Sequence, residues 1–212
     1  MKGCLVSLEG GEGAGKSTVL SGLRSHIEAH GIVLHVTREP GGTMLGEAIR
    51  ALVLDGSMRD VCAESELLLM FAARAQLVRE LIKPALAKGE WVLSDRFTDA
   101  SFAYQGGGRG QPQERIAELE RWAADGLRPD LTLLLDVPVE IGRARAERRG
   151  SPDRIESEKS DFFDRVRASY RERAGHEPDR FRIIDSSREI DEVRAAACAF
   201  VDQFLAARRS AK

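Results

Sequence analysis

Five short, unbroken apolar runs punctuate the chain, at 4–8, 32–36, 91–94, 131–135 and 181–184. Each is continuous instead of alternating, the pattern of strands buried on both faces of a parallel sheet. Between them, apolar residues recur at helical spacing over about 17–29, 43–54, 64–87, 98–104, 113–124, 139–148, 160–174 and 189–208. Alternating strands and helices predict an α/β fold with a five-stranded parallel sheet and helices on both faces, a three-layer α/β/α sandwich. Such sheets bind ligands at the carboxyl ends of their strands. Glu9, Arg38, Asp95, Arg96 and Asp136 each stand directly after a predicted strand, so one edge of the sheet collects five polar groups. The loosest stretches are expected at 105–112 (QGGGRGQP) and 148–159.

The first strand runs into GGEGAGKS at 10–17, which fits the phosphate-loop pattern G-x-x-x-x-G-K-[ST]. Glycines let successive backbone N–H groups turn inward around an oligophosphate, and the lysine reaches its terminal phosphates. The following helix adds its N-terminal dipole and unsatisfied N–H groups. Gly10, Gly11, Glu12, Gly13, Ala14, Gly15, Lys16, Ser17 and Thr18 are therefore the expected nucleotide-phosphate site, with the Ser17 hydroxyl a ligand for Mg²⁺. The fold class is that of a P-loop NTPase.

Composition narrows the partners. The formal charge of −2 offers no general attraction to nucleic acid or anionic membrane, and no apolar run approaches the length of a membrane span. Met1, Lys2 and Gly3 lead straight into the first strand without a signal peptide. Cys4, Cys62 and Cys198 are far apart and form no C-x-x-C pair, which suits reduced packing residues better than a zinc site. The expectation is a single domain over 1–212, cytoplasmic, without nucleic-acid or membrane partners.

Other residues keep more than one reading. Asp95 can act as the carboxylate that holds Mg²⁺ and Arg96 as a phosphate fork, or the two can form a structural ion pair. Asp136, ending another apolar strand, rivals Asp95. Arg143, Arg145, Arg148, Arg149 and Arg154 crowd one segment that reads as a solvated face, a nucleic-acid patch or a lid over about 142–159. Acidic interleaving and net charge weaken the second reading, and the phosphate loop favours the third. Phe71 and Arg74 share a helix face and either hold a flat base or belong to the core. His26, His30, His35 and His176 show no metal-ligand spacing and no nucleophile partner, and no role is assigned to them.

Guanine switches use N-K-x-D and D-x-x-G; the chain contains no Asn and no D-x-x-G. The ordered set Glu9-Gly10 with the loop, Arg38-Glu39-Pro40-Gly41-Gly42-Thr43, Phe71-Ala72-Ala73-Arg74, Asp95-Arg96-Phe97 and Ala103-Tyr104-Gln105-Gly106-Gly107 instead resembles the bacterial thymidylate kinases. That resemblance implies a homodimeric enzyme catalysing ATP + dTMP → ADP + dTDP with Mg²⁺. It implies catalytic roles for Lys16, Arg96, Arg145 and Arg149, and metal roles for Ser17 and Asp95. Glu12, Arg38, Glu39, Pro40, Arg50, Phe71, Arg74, Arg96, Ser101, Tyr104 and Gln105 would bind dTMP. Within that set Phe71 stacks on thymine, Arg74 bonds its edge, Arg50 and Arg96 grip the acceptor phosphate, and Glu12 meets the 3′-hydroxyl. Ser101 and Gln105 line the base pocket, and Tyr104 presses on the deoxyribose. Some relatives carry an arginine directly after the loop's acidic residue. Gly13 stands there, so the transition-state arginine is expected from the lid. Phe97 stands where relatives often have Tyr or His. The alternative is another small P-loop kinase with a different monophosphate acceptor.

Overall fold

A computed structural model describes residues 3–210 apart from Arg59, Arg149 and Ser151. Strands β1 (Cys4–Gly10), β2 (Leu34–Arg38), β3 (Trp91–Asp95), β4 (Leu131–Asp136) and β5 (Phe181–Asp185) form one all-parallel sheet in the order β2-β3-β1-β4-β5. The phosphate-loop strand β1 is therefore central. The helices are α1 (Lys16–Ala29), α2 (Met44–Leu54), α3 (Ala63–Leu77), α4 (Lys83–Ala87), α5 (Thr98–Ser101), α6 (Gln113–Ala123), α7 (Val139–Glu147), α8 (Ser160–His176) and α9 (Ile190–Ser210).

Period-two alternation within β1 divides the core. Cys4, Val6 and Leu8 face Val19, Leu23 and Ile27 of α1 and Val193, Ala197 and Val201 of α9. Leu5 faces the opposite layer with Leu77, Val78 and Ile82. That second face also buries polar groups, which find partners: Ser7 Oγ and Thr132 Oγ1 are 3.0 Å apart, and Asp99 is paired with Arg173 and Arg180. No described helix is long and apolar enough to cross a membrane.

Three expectations shift. β2 begins at Leu34, not 32, because its ladder with β3 starts at Leu34↔Trp91, and Val33 on this edge is 60% exposed. The long helix expected over 64–87 is interrupted by a π-helical turn (Val78–Ile82) just before Pro84. Proline has no N–H for the normal ladder and its ring crowds the preceding turn, which a widened turn relieves. Of residues 105–112, expected to be loose, the first half (105–108) is built into a second π-helical segment (Phe102–Gly108). Its glycines let α8 close in: a Cβ on Gly107 would lie 2.8 Å from the Arg165 carbonyl oxygen, and one on Gly108 2.4 Å from the Phe162 ring. Glycine there serves packing, not looseness.

Candidate active site

The carboxyl edge of the sheet opens into a cleft of about 380 Å³. Its walls include Glu12 to Thr18 of the phosphate loop, Glu39 and Pro40 after β2, and Arg50 on α2. They continue through Met70 and Arg74 on α3, Asp95 at the end of β3 and Arg96 after it, Ser101, Tyr104 and Gln105, and Arg145 on α7.

Gly15 starts α1 in the left-handed region (φ 84°), Gly13 has φ 67° and Gly10 φ 143°. Glycine adopts these angles without the Cβ penalty. The loop is braced from outside, because a Cβ on Gly13 would fall 1.9 Å from the Gly142 carbonyl oxygen of α7. No arginine fits at position 13. Lys16 folds back over the loop, its Nζ donating to the carbonyls of Gly10 (3.0 Å) and Gly11 (2.8 Å). Burial and the nearby Arg96 pull its pKa down to about 8 against the carboxylates of Glu12 and Asp95.

Arg96 also has a positive φ, 69°, a costly conformation for a side chain with a Cβ. Ser94 Oγ donates to its carbonyl (2.6 Å) and its own N–H donates to Leu8 (3.0 Å), which hold the turn. The guanidinium Nη2 then reaches Glu12 Oε1 and the Tyr104 hydroxyl, both at 2.7 Å. Burial pushes the Glu12 carboxyl up, but Arg96 and Lys16 outweigh it and bring the group to about 2. Glu156, from the segment after α7, is pushed up by burial and by the charge of Glu12.

Arg74 is nearly fully buried. Its Nε donates to Glu39 Oε2 (2.7 Å), Nη1 to Ser101 Oγ (2.9 Å) and Nη2 to the Phe97 carbonyl (3.1 Å). Gln105 is oriented by donating to Glu66 (2.9 Å). Arg50 donates to the carbonyl of Pro40 (3.1 Å), which follows a cis peptide bond.

The two carboxylates left open by the sequence part company here. Asp136 is gripped by Arg167 (2.7 Å) and Arg171 (2.7 Å). Asp95 and Ser17 both line the cleft, and Asp95 Oδ1 is buried without a hydrogen-bond partner among the described residues. A buried, unpartnered carboxylate oxygen that shares a cleft with a hydroxyl offers the oxygen donors that suit a hard dication.

Some expected residues are elsewhere. Arg38 is half exposed and pairs with Glu47 (2.8 Å), outside the cleft walls. Phe71, expected to stack on a base, is 2% exposed in a cluster with Leu67, Phe102 and Ile116, and the Arg74 guanidinium sits 4.5 Å from its ring centre. Met70 lines the cleft in its place. Among the five arginines, Arg145 reaches the cleft and donates to the carbonyl of Ser186 (2.7 Å). Arg143 bonds Ser160 (2.6 Å) and Arg154 is taken up by Glu66 (2.6 Å) and the Val53 carbonyl (2.8 Å). Arg148 is exposed, and Arg149 lies outside the described residues. The sequence reading missed Met70, Ile155 and Glu156; their signal, an apolar helix run and a charged turn, is shared by ordinary core and surface.

A central parallel strand running into a glycine loop, with its ligand cleft at the carboxyl edge, defines a P-loop α/β/α protein. A family model described as "Thymidylate kinase" matches residues 8–197. The thymidylate kinase of Pseudomonas savastanoi pv. phaseolicola is 52% identical over 209 residues, 99% of this chain and 100% of the relative. That of Cupriavidus metallidurans is 52% identical over 92% of this chain and 96% of its own, and that of Methylobacillus flagellatus 50% over 97% and 100%. The chain belongs to the thymidylate kinase family.

Proposed function

We infer that this protein is a nucleoside monophosphate kinase that transfers the γ-phosphoryl group of ATP to dTMP, giving ADP and dTDP. The observation that carries the reading is one cleft in which a phosphate loop with its lysine meets a second set of phosphate-seeking side chains, Arg50 and Arg96, with Met70 and Arg74 on the same wall. Two anionic substrates need two such sets.

The acceptor phosphate is largely dianionic at neutral pH, its second pKa being about 6, so no general base is required. What the protein supplies is alignment of two polyanions and neutralisation of their charge. Lys16 and the loop N–H groups hold the ATP phosphates. Arg96 turns from Glu12 and Tyr104 toward the transferring group, and Arg50 holds the acceptor phosphate. Arg145 and Arg149 are the candidates for added positive charge in the transition state. Met70 packs against the base in the place expected for Phe71, with Arg74 and Gln105 at its polar edge, Ser101 beside them and Tyr104 against the sugar. Glu12 remains anionic and accepts from the 3′-hydroxyl. Ser17 and Asp95 would hold Mg²⁺, which neutralises phosphate charge when bound.

The same reading carries a cytoplasmic location and a homodimer, the latter supported by Trp122 (80% exposed) and Leu68 (57% exposed) on the adjoining helices α6 and α3. ADP release with ATP, Mg²⁺ and a panel of dTMP, dCMP, dGMP and AMP tests the assignment. We expect strong preference for dTMP; turnover without that preference overturns the acceptor, and no turnover overturns the kinase reading.

A further inference from the structure

Away from the nucleotide cleft, α1 and α9 lie against each other, so closely that a Cβ on Gly22 would meet Arg194 Cδ at 2.5 Å. Their buried faces interlock through Leu23 and Ile27 with Ala197 and Val201. On the outer side of this seam, His26 in the last turn of α1 and His30 at its C-cap face Asp202 on α9. His26 Nε2 lies 2.8 Å and His30 Nε2 3.0 Å from the same atom, Asp202 Oδ1. All three donor atoms lie within 4.8 Å of one another, and the imidazoles meet edge to face at 5.1 Å. Neither the nucleotide site nor the core uses these side chains. The spacing of the histidines looked uninformative in the sequence because the third group arrives 172 residues after His30.

We propose that His26, His30 and Asp202 form a binding site for a borderline-soft transition-metal dication, best suited to zinc. Two imidazole nitrogens and one carboxylate oxygen are a donor set zinc accepts, and three protein ligands leave its fourth position to water. Magnesium, which demands oxygen ligands, does not fit the set. Tetrahedral zinc with bonds of about 2.0–2.1 Å separates neighbouring donor atoms by about 3.3 Å. The observed 2.8 and 3.0 Å therefore need to open by only a few tenths of an ångström, within the reach of side-chain rotation. The side chains are 29%, 33% and 49% exposed, which gives an ion a path in. The metal would pin the helix that begins with Lys16 and Ser17 to the carboxyl-terminal helix, and so stabilise the fold without entering the reaction.

The test uses the whole protein, stripped with chelator and titrated with zinc chloride alone, with magnesium chloride as the comparison. We expect one zinc per chain by calorimetry, and a Tm rise of roughly 5–10 °C at free zinc about a hundredfold above Kd. A His26→Gln/His30→Gln double variant and an Asp202→Asn variant should each lose affinity at least about tenfold, while keeping ATP- and dTMP-dependent turnover as proof of folding. Cobalt in place of zinc should give tetrahedral visible absorption that the double variant lacks. The proposal is overturned if zinc leaves Tm unchanged, if the double variant binds as tightly as the unchanged protein, or if binding follows Cys198→Ser or Cys62→Ser instead.

Discussion

Gly13→Ala places a methyl group where the phosphate loop touches α7. The new Cβ would sit 1.9 Å from the Gly142 carbonyl oxygen, at a residue whose φ is 67°. Holding an L-residue in the left-handed region costs about 1–2 kcal/mol. Relieving the overlap means separating the loop from α7 by about 1 Å, and overpacking of that kind costs about 1–3 kcal/mol. The substitution should therefore destabilise the protein by about 2–5 kcal/mol, which for a chain of this size lowers Tm by roughly 4–20 °C. A second consequence is catalytic, because the loop that leaves α7 also carries the N–H groups aimed at phosphate, so kcat should fall together with Tm. Gly11→Ala is the matched control, since a Cβ there meets nothing within 4 Å; its Tm should stay within about 2 °C of the parent. Thermal melts and steady-state ADP release on both variants give the comparison. If Gly13→Ala melts and turns over like the parent, or Gly11→Ala is equally damaged, the bracing of the loop by α7 is wrong.

Three further outcomes are expected. Burial and the charge of Asp99 push Glu9 up to about 8, so between about pH 4.5 and 8 the folded state keeps a proton the unfolded chain has lost. This contribution is fully present below that window, and stability falls by up to about 1.4 kcal/mol per pH unit across it. Glu9→Gln should flatten the slope in urea titrations from pH 5 to 8, and parallel slopes in parent and variant would refute the burial argument. Met70→Ala should raise KM for dTMP about five- to thirtyfold through lost apolar contact, with KM for ATP little changed; an equal rise in both would remove Met70 from contact with the base. Asp95→Asn should lower activity on the order of 10–100-fold and shift the Mg²⁺ requirement upward, with Tm retained because the carboxylate's buried Oδ1 has no hydrogen bond to lose; normal Mg²⁺ dependence would take Asp95 out of that role.

Several of these outcomes depend on features that the linear pattern leaves undecided. The loop pattern treats position 13 as variable, because its four middle positions carry no constraint within the motif itself. The constraint comes from Gly142, more than a hundred residues later, which only the packing of α7 brings near. Phe71 and Met70 pose the same difficulty on one helix. Both lie about one turn before Arg74, and an apolar run continues on either side, so periodicity cannot say which faces a ligand. The cluster of Leu67, Phe102 and Ile116 claims Phe71 and leaves Met70 to the cleft. Asp95 and Asp136 end equivalent strands, and their difference lies in Arg167 and Arg171, which α8 delivers to Asp136.

By itself the sequence determined the α/β/α class, the five strands, the phosphate loop and the edge of the sheet where a ligand belongs. These follow from local rules: apolar runs must be covered on both faces, and a glycine loop before a helix gathers N–H groups. Tertiary structure decided which members of equivalent pairs face the cleft, why Gly13 must be glycine, and why the three glycines at 106–108 belong to a packed π-helical segment. It also decided that two histidines and a distant aspartate converge. Those outcomes depend on contacts between segments far apart in the chain, where each side chain's role is set by what the fold places opposite it.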